Sequence, residues 1–266
     1  MWVEGPDAGR FLQGVLTNDV LRLGSGESAY ALLLTNRGRV RGDMRVVRDG
    51  EEAFTLVLDG RQAPTLAHAL EEMHFAEHLD LIGPEPFELL TVGGRVPPPS
   101  GIGDLTLPGL VPMTTDVVAA DARAALAALG LPEAPVEALE ALRVEAGVPR
   151  FGGDLTESSL VQEAGLERVA VSFDKGCYLG QETVARTQYR GHVNRVLRGL
   201  LLPTPAAVGA VVRAGGREVG RLSSVAVSPA RGPIALATLR REVGAGDEVS
   251  VDGLDRPASV VELPFP

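Results

Sequence analysis

Lysine and cysteine are all but missing from this sequence: one lysine, Lys175, and one cysteine, Cys177, occur in 266 residues, and every other side chain with a permanent positive charge is arginine. A single thiol excludes an intrachain disulfide and cannot by itself hold a metal. Among the four histidines, His68, His74 and His78 stand six and four positions apart, with no carboxylate pattern to complete a zinc triad. Nucleotide signatures are absent too, since Gly24-Ser25-Gly26 has no third glycine and no Gly-Lys-Ser/Thr occurs. A serine-nucleophile elbow is likewise missing. No apolar run approaches the length of a bilayer span, and no basic region followed by an apolar stretch opens the chain, so a cytoplasmic protein with no membrane partner is expected. The formal net charge of -10 argues against direct DNA binding, which draws on many phosphate-neutralising cations.

What is present is an apolar content of 45%, ample for a packed core in one domain or a few small ones. Two stretches run against the acidic balance. Arg37 to Arg48 holds five arginines against Asp43, and Arg186 to Arg198 holds four arginines and His192 with no acid. Each is either a solvated arginine face or a local anion site. Periodicity outlines the elements. Ala8, Phe11, Leu12, Val15 and Leu16 share one face of a helix starting at Gly5-Pro6-Asp7. Asn18 and Asp19 follow it as candidate capping residues. Tyr30 to Leu34, Val40 to Val47 and Ala53 to Leu58 read as a β-meander with turns at Asn36-Arg37-Gly38 and Asp49-Gly50. A helix over Pro64 to Met73, a strand over Phe87 to Val92 and a loop at Val96 to Gly101 come next, then helices over Asp116 to Leu129 and Pro135 to Ala146. From Arg198 the pattern becomes short strands with glycine turns: Arg198 to Leu202, Ala210 to Arg213, Glu218 to Val227, Ile234 to Leu239, Asp247 to Val251 and Ala258 to Leu263. That spacing predicts a compact barrel or sandwich, and the fold class is α+β.

The two rarest residues stand together in Asp174-Lys175-Gly176-Cys177-Tyr178-Leu179-Gly180-Gln181-Glu182-Thr183. Thiolate is the reactive form of cysteine, and a nearby cation or a helix N-terminus favours it. Lys175 can supply the first and the run from Gly180 the second. The flanking glycines suggest a turn that exposes the thiol; the alternative is that Cys177 is a small buried hydrophobe.

Lys175-Gly-Cys-Tyr-x-Gly-Gln-Glu182 resembles the signature of the YgfZ family, folate-binding relatives of the glycine-cleavage T-protein (aminomethyltransferase). Leu142 to Gly147, Val184 to Arg186, and Arg190-Gly191 extend the likeness, and Gly220 to Ser224 with Leu263-Pro264-Phe265 resembles the T-protein C-terminal barrel. The resemblance implies a T-protein/YgfZ-like folate-binding fold: a region 1-197 of two intertwined α+β subdomains with a boundary near 95-115, then a small β-barrel over 198-266. The family has a strand ahead of the first helix, so the chain is expected to start late. Tetrahydrofolate, or a one-carbon derivative, is the implied cofactor, and iron–sulfur client proteins are the implied partners.

The residue roles follow from the same resemblance. Gln162-Glu163-Ala164-Gly165-Leu166 is similar to the segment whose glutamate accepts the pterin ring, and one carboxylate can accept both the 2-amino and N3–H donors. The alternative for Glu163 is an exposed loop acid. Arg195 falls where the family places an arginine near folate, suited to a tail carboxylate, and Tyr178 and Asp43 complete the implied folate site. Cys177 and Lys175 carry the implied redox or transfer chemistry. The T-protein has two adjacent acids where this sequence reads Gly42-Asp43. Three functions stay open: support of iron–sulfur cluster assembly or repair by a tetrahydrofolate-binding protein, folate-dependent aminomethyl transfer of the T-protein kind, or a folate-binding scaffold with no chemistry of its own.

Overall fold

A computed structural model describes residues 1–94 and 105–266. The expected loop from Val96 to Gly101 lies outside the described residues. In chain order the elements are β1 (Trp2–Glu4), α1 (Ala8–Val15), β2 (Ser28–Leu34), β3 (Val40–Arg48), β4 (Ala53–Leu58), α2 (Ala63–Met73) and β5 (Asp80–Ile82). Then come β6 (Glu88–Gly93), β7 (Leu105–Pro108), β8 (Thr114–Ala119), α3 (Ala122–Leu129), α4 (Val136–Ala146) and α5 (Gln181–Arg190). The last six strands are β9 (Arg195–Leu201), β10 (Val211–Ala214), β11 (Arg217–Ser228), β12 (Gly232–Arg240), β13 (Glu248–Val251) and β14 (Ala258–Val261). They form two compact units, one of Met1–Glu85 with Phe151–Val196, the other of Pro86–Arg150 with Leu197–Pro266.

The first unit is built on a five-stranded antiparallel sheet in the order β2-β3-β4-β1-β5. β2 reads as an unbroken apolar run because both of its faces are covered. Ala31 and Leu33 join Phe11, Leu12, Phe54, Leu66 and Leu70 beneath α1 and α2. The alternate residues Leu32 and Leu34 join Val161, Leu166, Tyr178 and Val184, as the two-residue period of a strand requires. β1 precedes α1 and pairs with both β4 and β5, a strand that the reading of Met1 to Val20 as a helix start did not foresee. Three residues were too few to show alternation in the sequence.

α5 is locked to the tip of the β2–β3 hairpin by two glycines. Gly180, the residue before α5, has φ +81, and a Cβ there would lie 2.6 Å from the Thr35 carbonyl oxygen and 3.1 Å from the Gly38 Cα. Gly38 has φ +71, and its added Cβ would come 2.7 Å from the Thr183 Cβ. Backbone therefore meets backbone at a distance no side chain tolerates.

In the second unit, β6, β8 and β7 form a three-stranded antiparallel sheet. The helix expected over Asp116 to Leu129 is corrected here: Thr114–Ala119 is strand β8, and α3 begins only after Asp121, whose carboxylate accepts from the Ala124 N–H. The β-branched residues Thr114, Thr115, Val117 and Val118 favour a strand, and the Asp121 cap marks the true start. Gly130 and Gly147 end α3 and α4 in the left-handed conformation. The closed barrel runs β10-β11-β12-β9-β14-β13, close to the strands expected from Arg198 onward. α4 packs on it through Val144 against Ile234, Leu236 and Phe265. The buried Arg143 side chain donates to both Glu140 oxygens, the Val148 carbonyl and Ser224 Oγ. That guanidinium holds the Glu140 carboxyl below the usual carboxylate range.

The glycine pair generates a prediction. Gly180→Ala should destabilise the protein by about 2–5 kcal/mol, combining left-handed strain with overpacking. Gly26→Ala, at φ +79 with nothing within 4 Å, should cost only the strain, about 1–3 kcal/mol. Chemical denaturation of both variants measures the difference, and equal losses would show that the close approach contributes nothing.

Candidate functional site

The side chains around the Lys175–Glu182 motif sit on one apolar cluster of the first unit. Val161, Ala164, Leu166, Tyr178 and Val184 pack there with Leu32 and Leu34, and Tyr30 and Phe173 lie against them. Three of the candidate residues are held at its margin: Asp43 through Tyr30, Glu163 between Val161 and Ala164, and Tyr178 as a member.

Lys175 is only 8% exposed. Its Nζ donates to the Leu16 carbonyl at 2.7 Å and the Asn18 carbonyl at 2.9 Å, and it lies 5.2 Å from the centre of the Tyr178 ring. The ammonium thus closes the C-terminal end of α1, where orphan carbonyls and the helix dipole both favour a cation. The sequence reading aimed Lys175 at the thiol. Among the described residues no hydrogen bond joins the two, because the ammonium is committed to backbone carbonyls. Burial lowers the Lys175 pKa to about 8, opposed by the charge of Asp19. The Tyr178 hydroxyl is pushed up to about 12 by burial.

Cys177 is exposed, as the flanking glycines suggested. It stands between the buried Lys175 and the buried Tyr178, two anchors that fix the backbone on either side of it. The Leu179 N–H adds a third tie, to the Gly14 carbonyl at 3.1 Å.

Asn18 and Asp19 do not cap a helix. Asn18 Nδ2 donates to the carbonyls of Tyr30 and Val169, and Asp19 accepts from Gln13 Nε2 at 2.9 Å. Beside them the fully buried Thr17 donates its hydroxyl proton to the Ala170 carbonyl and accepts from the Leu32 N–H. This small polar hub ties α1, β2 and the segment ahead of the motif, with its groups paired as burial demands.

Asp43 is held at both oxygens. The Tyr30 hydroxyl donates to Oδ2 at 2.9 Å and Gln62 Nε2 donates to Oδ1 at 3.0 Å. Burial, and then the negative charge of Asp43, hold the Tyr30 hydroxyl well above its ordinary pKa. A Cβ on the preceding Gly42 would lie 2.6 Å from Gln62 Oε1 and 2.7 Å from Leu66 Cδ2. The side-chain ends of Gln62 and Leu66 thus occupy the space beside Gly42 and would have to move for a larger residue there. Neither Tyr30 nor Gln62 was foreseen from the sequence. A period-2 count along β2 could have placed Tyr30, but nothing local points to Gln62.

Glu163 ends a short 3-10 turn and is half-buried, unlike an exposed loop acid. Its Oε2 accepts from the Leu160 N–H at 2.9 Å, and the neighbouring Gln162 Nε2 donates to the Val184 carbonyl of α5 at 2.9 Å. The carboxylate is thereby oriented, and it retains acceptor capacity for two adjacent donors. Arg195 is exposed at the start of β9. No hydrogen bond among the described residues joins Arg195, Asp43, Glu163 and Cys177 to one another. A cleft of about 720 Å³ lined by Asn18, Asp19, Arg22, Phe173 and Asp174 among others lies in the first unit and includes none of those four.

The chain resembles known proteins along its length. Residues 1–83 match the GCVT N-terminal domain and residues 195–265 the glycine cleavage T-protein C-terminal barrel domain. An aminomethyltransferase of Rubrobacter xylanophilus is 31% identical over 298 residues, covering 98% of this chain and 79% of that protein. The crystal structure of the glycine cleavage system aminomethyltransferase T from Bartonella henselae superposes with a TM-score of 0.85 at 25% identity, covering 100% of this chain and 83% of that one. Fold and sequence together define a protein of T-protein architecture: mixed helices and strands with a C-terminal six-stranded barrel. The chain belongs to the glycine cleavage T-protein, or aminomethyltransferase, family. It is also 29% identical over 264 residues to a Chaetomium globosum protein named iron-sulfur cluster assembly factor IBA57 homolog, mitochondrial, covering 84% of this chain and 59% of that protein.

The buried lysine yields a prediction that its uniqueness makes easy to read. Labelling with 15N-lysine should give one Nζ resonance titrating near 8, against about 10.4 for a free lysine. Between those values the unfolded chain binds a proton that the folded one has released, so stability relative to Lys175→Met should rise with pH across that window. A midpoint at the free-lysine value would show that the ammonium is not buried as described.

Proposed function

We propose that this protein belongs to the YgfZ branch of its family and binds tetrahydrofolate, or a one-carbon derivative, in the cytoplasm. Its role in this reading is to support assembly or repair of iron–sulfur clusters in client proteins, and aminomethyl transfer of the T-protein kind is weak or lost. The observation that carries this reading is Gly42: it stands beside Asp43 where the resemblance implies two acids, and the side-chain ends of Gln62 and Leu66 lie over it. The exposed Cys177, gripped between buried neighbours, and the similarity to a protein named as an iron–sulfur cluster assembly factor support the same reading.

In this reading Glu163 accepts the paired pterin donors, its orientation set by the Leu160 N–H. Arg195 forks onto a carboxylate of the folate tail. Tyr178 supplies an apolar wall and, with Lys175, holds the Cys177 backbone. Lys175 acts through position, not as a proton acceptor for the thiol. Folate supplies a one-carbon carrier, and the cluster is cargo met by Cys177.

Replacing Glu163 by Ala removes an acceptor for two donors and should weaken tetrahydrofolate binding by about 1–3 kcal/mol in equilibrium dialysis; equal affinity would remove Glu163 from the site. In cells lacking the endogenous counterpart, wild type should restore the activity of iron–sulfur enzymes and Cys177→Ala should not, at equal protein levels. Full rescue by Cys177→Ala would defeat the proposed role of the thiol.

The second reading, aminomethyl transfer, is favoured by the retained Asp43 and by the 31% identity to an aminomethyltransferase. Loss of a positioned proton-transfer group typically costs about 10²–10⁴-fold, so turnover with an aminomethylated carrier protein should fall short of a T-protein by that order. Robust turnover that vanishes in Asp43→Asn would promote this reading to first place.

A further inference from the structure

The arginine stretch that the folate reading leaves aside has a defined place. Arg186 and Arg190 are one turn apart on α5 and in line with Thr183, whose side chain alone meets the hairpin tip at Gly38; both arginines lie beyond that contact on the open side of the helix. The turn residue Arg37 is exposed, as are Arg186, Arg190, His192 and Arg195. Several surface arginines stand with acids, Arg10 with Asp7, Arg61 with Asp59, Arg213 with Asp252 and Arg221 with Glu218, while others such as Arg22 and Arg217 stand singly; what sets this stretch apart is that its arginines lie together. Arg37, Arg186 and Arg190 have no acidic partner among the described residues, and Glu182 in the first turn is the only acid of α5. Tyr189 is 70% exposed, yet its ring stands edge-on to Phe173 at 6.0 Å, so it is anchored. Rigid tyrosine beside arginine is the side-chain mixture that concentrates binding energy at protein interfaces.

We propose that the outer face of α5, with the Arg37 turn at its N-terminal end, is a docking surface for an acidic segment of a partner protein. The net charge of -10 repels a polyphosphate chain along most of its length, whereas a short acidic segment needs only this patch, within a Debye length of about 8 Å. Arginines about 6 Å apart on successive turns suit the neighbouring carboxylates of a helix or strand. The surface does not depend on folate binding, and the two succeed or fail separately.

The test uses the full chain and a fluorescein-labelled oligoglutamate peptide, followed by anisotropy. Saturable binding that weakens as salt is added is expected. Arg186→Glu with Arg190→Glu should weaken it at least about tenfold, a change of about 1.4 kcal/mol, while the melting temperature and tetrahydrofolate binding stay as in wild type. Arg217→Glu, on the barrel, should leave peptide binding unchanged. If the reversal perturbs folding, Arg186→Gln with Arg190→Gln should still weaken the peptide. No saturable binding, equal binding by the α5 variants, or tighter binding of an oligouridine RNA of equal charge would overturn the proposal.

Discussion

The first unit depends on one close contact, the approach of the Gly38 and Gly180 backbones. It sets α5 against the β2–β3 hairpin, with the Thr183 side chain against Gly38, and it does so where the chain has just passed through Cys177 and Tyr178. Because the two glycines occupy left-handed backbone as well as each other's space, neither can be replaced without moving α5 or the hairpin. The thiol-bearing loop takes its direction from that lock at one end and from Lys175 at the other.

A second constraint is electrostatic. The only ammonium side chain of the protein is buried on two backbone carbonyls and the Tyr178 ring, where desolvation opposes the charge that the carbonyls need. Arginine is too long and too planar to fill the same place on two convergent carbonyls, which gives a physical reason for a lone lysine in a chain that otherwise uses arginine. The buried Thr17 does comparable work nearby, satisfying Leu32 and Ala170 at once. The second unit repeats the device with Arg143, whose fork holds Glu140 and reaches Ser224 of the barrel.

The site combines fixed and available groups. Asp43 spends both oxygens on Tyr30 and Gln62, and the side-chain ends of Gln62 and Leu66 lie over Gly42 beside it, so a larger residue there would have to push them aside. Glu163 is oriented but keeps acceptor capacity, and Cys177 and Arg195 face solvent. Function lives in the site more than in the fold, so a T-protein framework does not by itself fix what these groups do.

Sequence alone determined the barrel strands, the β-meander, α1, α2 and α4, because each is written in local periodicity and ended by glycine or a turn. It also singled out Lys175 and Cys177 by their rarity, and Asp43 and Glu163 by resemblance. Only the tertiary structure decided that the single lysine serves α1 in place of the thiol, since its partners Leu16 and Asn18 lie more than 150 residues away along the chain. The same holds for the surroundings of Gly42, over which the side-chain ends of Gln62 and Leu66 lie. Short strands such as β1, and the split of Asp116 to Leu129 into β8 and α3, also escaped local patterns, because pairing with distant strands outweighs the intrinsic preference of a few residues.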